Sequence, residues 1–113
     1  MSDVAALFNV PSTDQERAIW SFAHAAHHND IIRVIFQITG VILATYILDP
    51  FDPDNTGVWA DQHQQMHNQM DDILGISPFN LDEVNWKDKS TLSGWIYDNA
   101  NEHFQAANIL EIG

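Results

Sequence analysis

Three stretches of this chain bring an apolar residue back every third or fourth position, and each sets histidine in or beside that stripe. From Trp20 the first series runs through His24, His27, Ile31, Val34 and Ile38. The second is Trp59, His63, Met66, Met70 and Ile73, with His67 and Leu74 on its flank. The third is Leu92, Trp95, Ile96, Asn99, His103, Ala106 and Leu110. Steps of three and four are helical, whereas a half-buried strand alternates every second residue. The spacing predicts helices over about 13–40, 56–75 and 90–110. It therefore predicts an all-α three-helix bundle, with an N-terminal arm over residues 1–11 and a single helical domain over 12–113.

The ends of these segments carry matching signals. Thr13 with Glu16 has capping-box spacing, and Ser12 with Gln15 offers the same device one residue earlier. Gly40 and Gly75 can take the left-handed conformation that closes a helix, and Ile76 is the apolar residue that packs back after such a cap. At 1.5 Å per residue the first helix would be about 40 Å long, so one end is expected to project or to pack on another chain. Val41 to Leu48 is rich in β-branched residues and is expected to drape over the helices or to pair with a second chain. The two prolines of Asp49-Pro-Phe-Asp-Pro-Asp-Asn55 forbid regular structure there. Its acids faintly suggest calcium ligands, but the glycine and terminal glutamate of an EF-hand loop are missing, so they read as turn formers. Between the second and third helices, Phe79, Leu81, Val84 and Trp86 are the expected anchors of a linker.

Charge narrows the partners. Four Lys and Arg stand against sixteen Asp and Glu among 113 residues, a formal net charge of −12. Such a chain repels phosphate backbones and anionic membranes, which argues against direct nucleic-acid or membrane binding. Ile31 to Leu48 is the one stretch that tempts a membrane reading. It is interrupted by Arg33, Gln37 and Gly40, and is expected to be a buried helix end followed by an extended segment. The first residues carry no basic region and only a short apolar run, so no signal peptide is expected. With no cysteine, disulfides, thiolate metal sites and cysteine nucleophiles are excluded together.

The histidines are the chemistry-bearing residues. His24 and His28 lie four apart, as do His63 and His67, so each pair presents two imidazoles on one helix face. Asp71 extends the second series by a turn, and Glu102 neighbours His103. One reading makes them a partly polar core, hydrogen-bonded to Asn99, Tyr97 or backbone carbonyls. The other makes them ligands of a divalent transition metal, with His63 and His67 at its centre and His24, His28 or His103 completing it. His-Glu-x-x-His and paired Glu-x-x-His signatures are absent, as are phosphate loops and nucleophile elbows, so no catalytic residue is assigned and no enzyme is expected. Candidate partner anchors are Leu7, Phe8 and Val10 of the arm, with Tyr46, Phe51 and Phe79.

The run from His63 through Met66-His67 and Asp71-Asp-Ile-Leu-Gly75, followed by Leu92-x-x-Trp95-Ile96 and Asn101-Glu-His103-x-x-Ala106, resembles small helical virion-associated proteins of tailed bacteriophages. The resemblance covers most of the chain. It implies a multicopy, non-enzymatic component of head, neck or tail that docks onto other virion proteins and assembles in the host cytoplasm. It carries no cofactor and no site residue with it.

Overall fold

Helix α1 begins where the capping box falls. In the computed structural model, which describes residues 4–43, 57–81 and 84–112, it spans Asp14–Thr39. The Glu16 amide donates to Thr13 Oγ1 at 3.1 Å, while the Ser12 and Thr13 amides donate to Glu16 Oε1 at 3.0 and 3.2 Å. Two of the amides that a helix end leaves without backbone partners, those of Thr13 and Glu16, are thereby satisfied, with that of Ser12 beside them. Gly40, at φ 74°, closes the helix and donates to the Phe36 carbonyl at 2.8 Å. Helix α2, Gly57–Leu74, ends at Gly75 with φ 72°. The Ile76 amide reaches back to the Asp71 carbonyl at 2.9 Å, and the Ile76 side chain is buried. Helix α3, Lys89–Leu110, starts at Asp88, whose carboxylate accepts from the Ser90 amide at 3.2 Å. Among the described residues the regular structure is these three helices and a 3-10 turn over Val4–Phe8.

The three helices run parallel and in register. His24 meets His63 and His28 meets His67, both contacts spanning 39 residues. Trp20 packs on Trp95, and His24 meets Asn99 75 residues away. Trp59 packs on Trp95, and His67 meets His103 36 residues on. Offsets that stay constant while both numbers rise mean the same direction in each helix. An up-down bundle would show constant sums instead. Parallel neighbours cannot be joined by a tight turn, which fits connections as long as those between Thr39 and Gly57 and between Leu74 and Lys89.

Register stacks the interior in layers about one turn apart. Trp20, Trp59 and Trp95 lie in an apolar cluster with Leu7, Leu81, Trp86, Leu92 and Ile96. Further along come the histidines. Beyond them a second apolar cluster holds Ile31, Val34, Ile35, Met70, Ala106 and Leu110. The polar layer is thus sealed at both ends by burial, the main favourable term in folding.

Some expectations are revised. The arm is part of the core: Leu7 is fully buried, and its carbonyl accepts from Trp20 Nε1 at 3.1 Å, so Leu7 has no surface left for a partner. Ile38 faces outward, 67% exposed, because the last turn of α1 has run past the layers that α2 and α3 supply. Tyr97 is exposed and packs edge-on against Phe8, away from the histidines. Phe8 is at the surface, while Val10 and Phe79 are half-buried against the first apolar cluster. Tyr46, Phe51 and the loop acids Asp49, Asp52 and Asp54 lie outside the described residues.

Candidate metal centre

Each helix delivers side chains to the polar layer by the four-residue step that keeps one face. Helix α1 supplies His24 and His28, α2 supplies His63 and His67, and α3 supplies Asn99 and His103. All five imidazoles are 0–3% exposed, and one ring nitrogen from each lies within 4.8 Å of all the others. His67 therefore belongs inside the site and not on the flank of its helix.

The closest contacts are between Nε2 atoms. They are His24–His28 at 3.0 Å, His24–His103 at 3.1 Å, His24–His63 at 3.2 Å, His28–His67 at 3.3 Å and His67–His103 at 3.1 Å. An imidazole nitrogen carries one in-plane proton or one lone pair, so it directs one hydrogen bond. Five such atoms can pair at most twice, which leaves most of the five contacts without a proton between them. His24 Nε2 alone faces His28, His63, His103 and the Asn99 oxygen, the last at 3.2 Å. Hydrogen bonding alone thus serves at most two of the five contacts, whereas lone pairs turned toward a common point would serve them all. With metal–nitrogen bonds of about 2.1 Å, ligands at right angles stand about 3.0 Å apart and opposite ligands about 4.2 Å apart, close to the spacings observed.

The electrostatics favour ligand-competent rings. Burial drives His28, His63 and His103 well below the ordinary imidazole range, and the neighbouring rings add to this. His27 is lowered to about 4 for the same reasons, burial first. Rings held neutral keep the lone pair a metal needs.

Outer contacts orient the rings. His103 turns Nε2 inward while its Nδ1 sits 2.7 Å from His27 Nδ1, so a single proton between them fixes both tautomers. His67 Nδ1 lies 3.5 Å from Glu102 Oε1, and Glu102 Oε2 accepts from the Phe79 amide at 3.3 Å. Asp71 is the carboxyl beside Glu102. Burial, with Glu102 next in effect, pushes it up to about 8. Burial also raises Glu102. The two acids that the sequence places near the histidines thus stand behind His67, outside the set of converging nitrogens.

On the other side aromatic rings form a dry wall. Trp20 stacks on His24 at 4.6 Å and 21°, and Trp59 on His63 at 4.6 Å and 12°. Trp86 and Trp95 close the group, edge-on or tilted against Trp20. The tryptophan pattern reads as core from the sequence; its packing on the histidine rings is not legible there. His27 and Asn99 fall on the stripes read from the sequence, but their spacing does not show what they do in the site.

No protein-family model, no curated protein and no solved structure matches the chain. No helix among the described residues is long and apolar enough to cross a membrane.

Proposed function

We propose that this chain is a helical metal-binding protein that takes one divalent transition-metal ion between its three parallel helices. The single observation that carries the reading is the convergence of five imidazole Nε2 atoms in more contacts than their protons can serve. Every helix contributes ligands, so the free energy of binding the ion is added to that of holding the helices together. The function is uptake with a conformational consequence, closer to sensing or storage than to turnover. A buried centre walled by tryptophan gives a substrate no path to the ion unless the helices part. In the test, metal-free protein is titrated with zinc(II), cobalt(II) or nickel(II) while its thermal midpoint is followed. The reading requires a saturable rise that a chelator reverses; a midpoint indifferent to every ion counts against it.

A second reading, docking in a multicopy assembly such as a tailed-phage virion, is supported by a different observation. Ile19, Phe22 and Phe36 project outward from α1, and Phe8, Tyr97 and Phe104 form an edge-packed aromatic group outside α3. Large exposed apolar side chains grouped in this way are a common mark of protein interfaces. The two readings are compatible, since an ion that tightens the bundle also sets the spacing of these outer faces. Detection of the protein in purified particles, and a defined oligomer by light scattering, would support docking. A monomer absent from particles would count against it.

A further inference from the structure

The geometry points to a six-coordinate, octahedral centre in which the Asn99 side-chain oxygen is the sixth ligand beside the five histidines. This rests on the metal reading above and goes further, because it fixes coordination number, the remaining donor and the class of ion. Parallel helices in register present two triangles of side chains, one turn apart. The first is His24, His63 and Asn99; the second is His28, His67 and His103. Two staggered triangles facing each other are an octahedron.

The contacts follow that figure. Within the first triangle, His24 stands 3.2 Å from both His63 Nε2 and Asn99 Oδ1, and the Asn99 side-chain oxygen also faces His63 as an acceptor. Within the second, His67 stands 3.3 Å from His28 and 3.1 Å from His103. Between the triangles, His24 reaches His28 at 3.0 Å and His103 at 3.1 Å. An octahedral vertex has four neighbours and one opposite, and His24 has four: His28, His63, His103 and Asn99. Its opposite is then His67, whose ring lies 6.3 Å from that of His24, whereas adjacent rings lie 4.2–5.5 Å apart. Asn99 falls opposite His28. It is fully buried, turns its oxygen to the centre, and its Nδ2 finds no hydrogen-bond partner.

Five imidazoles and one amide oxygen form a neutral set with octahedral directions. That suits iron(II), cobalt(II) or nickel(II) better than the tetrahedral preference of structural zinc. The probe is cobalt(II) added to the metal-free full-length chain, with the visible spectrum and the dissociation constant both read. Six-coordination predicts the weak visible bands of octahedral cobalt(II). Asn99→Ala is expected to intensify and shift those bands toward a five-coordinate spectrum, and to weaken binding about tenfold or more. Asn99→His restores a full set of six donors, so its weak bands and affinity should return. X-ray absorption on the loaded wild-type protein, which needs no variant to fold, should give five imidazoles and one further oxygen. Cobalt(II) bound with an intense tetrahedral spectrum, or an Asn99→Ala protein unchanged in spectrum and affinity, overturns the octahedral assignment alone. A chain that retains no cobalt(II) overturns the metal reading itself.

Discussion

Acidifying the metal-free protein should unfold it over a narrow range. His27, His28, His63 and His103 are all held below the ordinary imidazole value, chiefly by burial. The unfolded chain takes up protons at these rings as pH drops through about 6.5, while the native chain does not. Their contribution is therefore fully present above the unfolded value and is lost as pH falls toward the native one. Asp71, raised to about 8, works the other way. Between its unfolded value and about 8 the native carboxyl holds a proton that the unfolded one has released, so this group gains stability as pH falls. Glu102, also raised by burial, works in the same sense as Asp71. Four protons against one or two leave a net slope of about 3–4 kcal/mol per pH unit below the unfolded imidazole pKa. A domain of this size has about 5–15 kcal/mol in total, so one to two units of acid should suffice. Urea unfolding followed by far-ultraviolet circular dichroism at pH 7.5, 6.5 and 5.5 reads the effect directly. A midpoint that holds steady or rises on acidification would refute the reasoning, because it would place those rings in water. Metal at a hundredfold excess over its dissociation constant should add about 3 kcal/mol at pH 7.5, and the gain should shrink in acid as protons compete for the same nitrogens.

Other outcomes follow from the packing. Ile96→Ala, at a fully buried position between α3 and the tryptophans, should cost about 2–5 kcal/mol in urea unfolding. Thr13→Ala should cost about 1 kcal/mol by removing the capping oxygen, and Thr13→Ser should cost much less. Deleting residues 1–10 removes Leu7 and the acceptor of the Trp20 indole, so thermal stability should fall and Trp20 fluorescence should shift. An unchanged midpoint would return the arm to a purely partner-facing role.

Much of this architecture is written in local residues. Thr13 and Glu16, Gly40, and Gly75 with Ile76 announce the helix ends because capping depends on a few adjacent side chains. The apolar stripes reveal the buried faces because the helical period is fixed. Relative direction is not local: nothing in the stripes alone says that α1, α2 and α3 run parallel, and only long-range contacts such as His24–His63 and His24–Asn99 reveal it. The same limit hid part of the site. His24 with His28 and His63 with His67 stand out because histidine is scarce and chemically marked. Asn99 with His103 repeats their four-residue step on the third helix, but asparagine is seldom counted as a ligand. His27, Asp71 and Glu102 are visible beside the stripes, but the neighbours on other elements through which they act are not. Ile38 obeys the period of α1 yet faces outward, because periodicity shows which face would be buried and not how far along the helix a partner extends.

The proposed centre requires the imidazoles of three helices to converge on one ion. Metal content after loading and desalting tests it most directly, measured by elemental analysis on the wild-type chain and on a His24→Ala, His67→Ala double variant. The wild-type chain should retain one equivalent of cobalt(II) or nickel(II) and the variant next to none. A wild-type chain that emerges without metal, or a variant that retains the same equivalent, would contradict it.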